Sequence, residues 1–171
     1  MRVAIRQLAE SFIRGCTGRQ FGLAPRNLHC SNFIIRYNVH MSDEHKKVLI
    51  VDDDNFLLEM YALKFKEAAF EVDVAQTGQL AIEKTRQMEP DVVLLDIVLP
   101  EKDGFEVLQE IKSPKNKTSP LVVMLTNLGQ KDDTDRSIRL GADDYVVKAH
   151  FTPSEVVEKV KKLLTKKTEV T

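Results

Sequence analysis

Three aspartates stand at the ends of two apolar runs, and the chemistry open to them frames the rest of the chain. Val48-Leu49-Ile50-Val51 runs into Asp52-Asp53, and Val92-Val93-Leu94-Leu95 runs into Asp96. A short, β-branched, apolar stretch that ends abruptly in acid reads as a strand buried on both faces at the point where it leaves its sheet. About two helices' worth of periodic sequence separates the runs, so the two strands are expected to be parallel and joined by right-handed crossovers. Ligands bind such sheets at the carboxyl edge, where the strand order reverses. Three acids meeting there repel one another unless a divalent cation neutralises them, and an oxygen-only, solvent-accessible ligand set suits Mg²⁺. Two later runs end in polar residues of other kinds: Leu121-Val122-Val123-Met124-Leu125 in Thr126, and Tyr145-Val146-Val147 in Lys148. Acids, a hydroxyl and an ammonium at one edge make a phosphoryl site. The metal and Lys148 would hold phosphoryl oxygens, Thr126 would donate to another, and one carboxylate would attack phosphorus to give an acyl phosphate.

The elements that must position these groups are legible between the runs. Asn55 to about Ala69 has helical spacing, with Leu57, Tyr61, Phe65 and Ala68 on one stripe. Glu71-Val72-Asp73-Val74-Ala75 alternates as an edge strand does. Thr77 suits the cap of a helix running to Met88, where Pro90 stops it. Asp103 caps a short helix that buries Leu108 and Ile111, and the polar loop 113–119 leads to the next strand. A weakly hydrophobic helix spans about Lys131 to Leu140 and ends at Gly141. Thr152-Pro153-Ser154-Glu155 is a capping box with proline at the first helical position, and Val156, Val157, Val160, Leu163 and Leu164 follow at the spacing of a helix packed on a sheet. Five strands and five helices in this order predict an α/β, flavodoxin-like doubly wound parallel sheet of order 2-1-3-4-5. Its switch point lies between the strands that carry Asp52/Asp53 and Asp96.

Val51-Asp52-Asp53, Leu95-Asp96 followed by Leu99-Pro100 and Asp103-Gly104, Leu125-Thr126, Gly141-Ala142-Asp143 and Tyr145-Val146-Val147-Lys148 occur in order. Over roughly residues 46–166 this pattern resembles the receiver domain of bacterial two-component response regulators. The resemblance implies Asp96 as phosphoacceptor, Asp53 and Asp96 as side-chain Mg²⁺ ligands, the Val98 carbonyl as a third ligand and Asp52 as a ligand through water. It implies Thr126 and Lys148 on the phosphoryl oxygens, and Tyr145 as an aromatic switch that follows Thr126 inward on phosphorylation. The partners it implies are a histidine kinase or histidine phosphotransfer protein as donor, a target protein on the face of helix 4, strand 5 and helix 5, and a phosphorylation-linked dimer. In this reading the domain catalyses its own phosphorylation and dephosphorylation and has no separate metabolic activity. Two departures from the family pattern stand out. Ala149, not proline, follows Lys148; a cis peptide to a non-proline residue costs about 3 kcal/mol, so a trans or locally altered loop is expected. Val98 and Leu128, two beyond Asp96 and Thr126, are apolar where polar side chains position the attacking water, which predicts a long-lived phosphorylated state.

Two other functional classes use some of the same residues. Asp52-x-Asp54 at a strand end has the form of a haloacid-dehalogenase-like phosphatase motif, with Thr126, Lys148 and Asp143-Asp144 completing the set. That reading leaves Asp96 without a role. A constitutive adaptor that never turns over phosphate is the non-enzymatic alternative.

Composition bounds the setting. A chain of 171 residues, 43% hydrophobic and 30% charged, fits one soluble domain with an appendage. No apolar run approaches the roughly 18 residues that span a bilayer. A net charge of -1 implies no general attraction to nucleic acid, and no basic helix-turn-helix-like segment follows Lys148. A stand-alone cytoplasmic receiver that signals through protein contacts is therefore expected. The average charge conceals two sequences. Residues 1–40 hold six arginines against one acid, Glu10, a net of +5, together with both cysteines, Cys16 and Cys30. Residues 41–171 hold 19 basic residues against 25 acids, a net of -6. The change at Met41 suggests that Met41 is the natural start and that 1–40 is a disordered or upstream-translated extension before a domain at 41–171. Ala4, Leu8 and Phe12 on one basic helical stripe give the competing reading, a membrane-surface or targeting segment. Two unpatterned cysteines point to a reducing compartment.

Overall fold

The structure, a computed structural model, describes residues 45–114, 116, 119–127 and 131–169. These lie in the second of the two units into which the chain divides, Asp43–Thr171. The expectations for residues 1–40, for the start at Met41 and for Leu128 concern positions outside the described residues.

Five parallel strands form one sheet: β1 (Lys47–Val51), β2 (Glu71–Ala75), β3 (Val92–Asp96), β4 (Leu121–Thr126) and β5 (Asp144–Val147), in the order β2-β1-β3-β4-β5. Between and after them run α1 (Asn55–Glu67), α2 (Gly78–Met88), α3 (Gly104–Ile111), α4 (Lys131–Arg139) and α5 (Pro153–Glu169). The flavodoxin-like order and the switch point between β1 and β3 are as the sequence predicts. The register pairs Ile50 with Leu94 and Val51 with Leu95, so β1 and β3 end side by side and bring their acids to one edge.

Strand alternation sorts the core onto two faces. Val48, Ile50, Val92, Leu94, Val123, Leu125 and Val146 pack with α1 and α5, while Leu49, Val51, Val93, Leu95, Val122 and Met124 pack with α2 and α3. Both faces of the three central strands are therefore apolar, which is why those strands read as unbroken hydrophobic runs. The predicted α1 stripe holds at Tyr61 and Phe65 and shifts from Leu57 to Leu58 at its start. Leu58, Tyr61 and Phe65 are the buried residues, while Leu57 and Ala68 are half-buried at their flank. Leu57 and Leu58 are equally apolar, so hydrophobicity alone did not choose between them. The edge strand β2 is graded in burial from exposed Glu71 to buried Ala75 instead of alternating, because α1 and α2 close over its carboxyl end. The last helix continues through the lysine-rich 165–169 beyond its apolar stripe.

The caps are those the sequence indicates. Asp54 accepts from the backbone N–H groups of Phe56 and Leu57 at 2.8 and 3.3 Å and starts α1. Thr77 Oγ1 accepts from Leu80 N at 3.2 Å at the head of α2. Asp103 and Glu106 form a capping box at α3, and Thr152 with Glu155 form one at α5, where Glu155 takes the Thr152 N–H and hydroxyl at 2.8 Å each. At the amino edge, Asp91 accepts from Lys47 N at 2.8 Å, and Asp143 accepts from Val122 N at 2.7 Å and pairs with Lys112 at 2.6 Å. One acid on each side thus ties the incoming ends of neighbouring strands.

Candidate phosphoryl and metal site

Each site residue continues a column of core side chains to the last residue of its strand or the one just beyond it. Asp52 follows Val48 and Ile50, Asp96 follows Val92 and Leu94, and Lys148 follows Val146; all three columns belong to the α1/α5 face. Asp52 is still held in the ladder, its N–H donating to Ala75 O at 3.1 Å. Thr126 follows Val122 and Met124 on the opposite face, where Tyr145 also packs. The carboxyl edge thus receives its acids and ammonium from one side of the sheet and its hydroxyl and aromatic from the other. A group bound on Asp96 at the rim can be contacted from both.

Asp52, Asp96 and Thr126 are 1%, 4% and 3% exposed. Lys148 Nζ donates to Asp52 Oδ2 at 2.5 Å and to Asp96 Oδ2 at 2.7 Å. Its own turn, Lys148–His150, is 3₁₀, and every described peptide bond is trans, Lys148–Ala149 included. The trans bond expected from the missing proline is therefore present, and the turn still delivers the ammonium to the acids. The second oxygen of Asp96 accepts from Ile97 N at 2.7 Å, and Asp52 Oδ1 accepts from Asp54 N at 3.1 Å. Burial pushes the Asp96 carboxyl above its ordinary range and the Asp52 charge adds to this, while hydrogen bonding to Lys148 opposes both. For Lys148 burial acts downward, but the two carboxylates prevail and hold the ammonium above its usual pKa.

Asp53 is exposed beside this buried triad. One carboxylate oxygen from each of Asp52, Asp53 and Asp96 lies within 4.8 Å of the others. Two Mg–O bonds of about 2.1 Å span about 4.2 Å. Three carboxylate oxygens within 4.8 Å of one another suit a small, hard, partly hydrated cation, and exposed Asp53 gives it solvent access. The loop after β3 is tightly held. Gly104 N donates to Ile97 O at 2.9 Å and Lys102 N to Pro100 O at 2.8 Å, with Glu101 in the left-handed region at φ 69°. A Cβ at Gly104 would stand 2.1 Å from the Asp96 carbonyl oxygen. Glycine here lets α3 start directly against the backbone of β3, a role hidden inside the Asp103-Gly104 motif. Val98 lies in the same loop with its side chain 66% exposed at the rim.

The alternative phosphatase set does not assemble. Asp54 is spent on the α1 cap. Asp143 pairs with Lys112, and Asp144, the first residue of β5, pairs with Lys159 at 3.1 Å, both at the amino edge. Sequence reasoning assigned Tyr61 to packing alone. In the structure it is 2% exposed, and its hydroxyl feels Lys148, Asp52 and Asp96. A polar aromatic at a core position of the helix that follows the acids was the signal available.

Comparison with known proteins agrees with this geometry. Residues 48–161 match the family model described as the response regulator receiver domain. The chain is 33% identical over 120 residues to the alkaline phosphatase synthesis transcriptional regulatory protein PhoP of Bacillus subtilis, covering 70% of this chain and 49% of PhoP. It is 40% identical over 119 residues to the protein named probable transcriptional regulator ycf27 of Guillardia theta, covering 70% of this chain and 45% of that one. The chain thus spans about half the length of the curated relatives it matches. Among solved structures, a CheY-like response regulator receiver domain protein from Methanospirillum hungatei superposes with a TM-score of 0.68 at 27% identity, covering 74% of this chain and 99% of that one. A response regulator from Chloroflexus aurantiacus gives 0.65 at 33% identity, covering 71% and 99%. Carrying these matches on its five-stranded sheet and its acid, hydroxyl and lysine edge, the chain belongs to the response regulator receiver domain family.

Proposed function

We propose that residues 41–171 form an Mg²⁺-dependent phosphoacceptor switch in which Asp96 takes a phosphoryl group from a histidine kinase or histidine phosphotransfer protein of the cytoplasm. The observation that carries this reading is the buried ammonium of Lys148 bridging Asp52 and Asp96, with exposed Asp53 beside them. An Asp96 oxygen attacks phosphorus, the P–N bond to the donor imidazole breaks, and an acyl phosphate remains. Asp96 must be ionised to attack, and burial works against that; Lys148 supplies the opposing charge. Mg²⁺, held by Asp53, Asp96 and the Val98 carbonyl with Asp52 acting through water, would neutralise the charge that collects on the phosphoryl oxygens. Lys148 holds one phosphoryl oxygen from the α1/α5 side and Thr126 another from the opposite side.

The rim over Asp96 supports a protein donor. Phe56, Val98 and Phe151 are 72%, 66% and 36% exposed on the segments that follow β1, β3 and β5, and apolar side chains exposed at this edge offer contact to a partner. Thr126 and Tyr145 share the α2–α4 side of the sheet, so movement of Thr126 toward the phosphoryl group frees space for Tyr145. This alters the α4-β5-α5 face, where Ile138 is 59% exposed, and that face is the proposed contact for a downstream protein or a second phosphorylated copy. Incubation with acetyl phosphate and Mg²⁺, followed by intact-mass measurement, tests the proposal. One phosphoryl group should add to the wild type and none to Asp96→Asn. Labelling that persists in Asp96→Asn would remove Asp96 as acceptor, and no labelling of the wild type would favour the constitutive adaptor.

A further inference from the structure

Tyr61 is a polar residue at a fully apolar address. It lies on the inward face of α1, 2% exposed, packed in the cluster that contains Ile50, Leu94 and Val146. Each of these stands two residues before a member of the buried triad, Asp52, Asp96 or Lys148, so Tyr61 belongs to the core layer below that triad on the same side of the sheet. Packing there needs only a large apolar side chain, a need that phenylalanine or leucine would meet without a hydroxyl. Among the described residues nothing hydrogen-bonds the phenol, and no buried side-chain oxygen lacks a partner, so the ring is buried while its oxygen keeps contact with solvent at the edge of the site, where the charges of Lys148, Asp52 and Asp96 act on it. The phenol stays neutral, since burial raises its pKa. It can therefore accept a hydrogen bond without adding a charge.

Lys148 has the complementary deficit. An ammonium carries three donors, and two are used, on Asp52 and Asp96. When Asp52 turns to the metal and Asp96 carries a phosphoryl group, the ammonium must leave Asp52 and hold a phosphoryl oxygen. A buried donor released from its acceptor is costly unless another lies within reach. We propose that Tyr61 is a positioning residue of the phosphoryl site, its phenol oxygen accepting an N–H of Lys148 when Asp52 turns to the metal and releases the ammonium, and so holding it ready for the phosphoryl oxygen. The hydroxyl then acts through Lys148 and touches neither metal nor phosphoryl group. This inference rests on the phosphoacceptor reading of the same site.

The test replaces the hydroxyl alone. Tyr61→Phe should slow labelling by acetyl phosphate by about three- to tenfold, the range of one net hydrogen bond, while thermal melting stays at the wild-type value because no existing bond is lost. In a Lys148→Ala background the same substitution should have no further effect, since the two residues act as one unit. Independently of any phosphoryl donor, the Lys148 ¹⁵Nζ resonance measured with Mg²⁺ alone should differ between the wild type and Tyr61→Phe. A wild-type labelling rate in Tyr61→Phe, or additive effects in the double variant, would overturn the inference while leaving the phosphoacceptor reading intact. An unchanged Lys148 resonance would overturn it as well. A wild type that accepts no phosphoryl group while the resonance still shifts would instead sink the phosphoacceptor reading and leave the Tyr61–Lys148 contact standing.

Discussion

Removing the Lys148 ammonium should expose how far this edge depends on one internal cation. Lys148→Ala leaves Asp52, Asp53 and Asp96 with ligand oxygens within 4.8 Å and no counter-charge. At an effective dielectric of about 20, two unit charges 4.8 Å apart repel by about 3.5 kcal/mol. The protein can escape part of this by protonating Asp96, whose carboxyl burial already pushes up from its ordinary 3.8. Protonating such a group at pH 7 costs at most about 4.4 kcal/mol at 1.36 kcal/mol per pH unit. The two limits agree with the 3–5 kcal/mol typical of breaking a buried ion pair from one side, so we expect a loss of about 4 kcal/mol in urea denaturation without Mg²⁺ at pH 7. Two signatures separate this cause from lost packing. In the variant the folded carboxyl is raised above its unfolded value, so the penalty is present at pH above the folded value and is relieved as pH falls toward 3.8. Between pH 7 and pH 5 the deficit should shrink by up to about 2.7 kcal/mol by the same conversion. Mg²⁺ should also stabilise the variant more than the wild type, because the ion supplies the missing positive charge. A deficit independent of pH, or equal Mg²⁺ stabilisation of both proteins, would refute the electrostatic account.

Asp53→Ala removes one proposed ligand and one negative charge at the exposed side of the set, so Mg²⁺ affinity and acetyl-phosphate labelling should fall together; an unchanged Mg²⁺ titration would count against the site as drawn. Gly104→Ala gains about 1 kcal/mol of helix propensity but drives a Cβ to 2.1 Å from the Asp96 carbonyl oxygen, a backbone atom that cannot rotate away. Overpacking of about 3 kcal/mol should win, seen as a lower urea midpoint with impaired labelling, and a midpoint above wild type would show that the loop yields easily. Val98→Asn combined with Leu128→Glu should speed loss of the acyl phosphate about tenfold, roughly 1.4 kcal/mol of barrier; phosphate-release time courses with equal or slower loss would mean that another step limits water attack.

The sheet was legible in the sequence because its central strands are buried on both faces and therefore appear as unbroken apolar runs, each closed by the residue that reaches the edge. The helix starts were legible for a local reason: Asp54, Thr77, Asp103 and Thr152 are short-range caps whose partners lie two or three residues on. The same locality placed Asp52, Asp53, Asp96, Thr126 and Lys148 at strand ends before any contact was known. What one chain position cannot encode is which distant group it meets. Leu57 and Leu58 are equally apolar, and only the seating of α1 against β1, β2 and α5 chose Leu58 as the more deeply buried. That Lys148 bridges both Asp52 and Asp96, that Thr126 approaches from the opposite face, that Gly104 lies against the Asp96 backbone and that Tyr61 sits beneath the triad all depend on strand register and helix docking. These bring together residues 52, 61, 96, 104, 126 and 148 through packing energies that no local stretch of sequence contains.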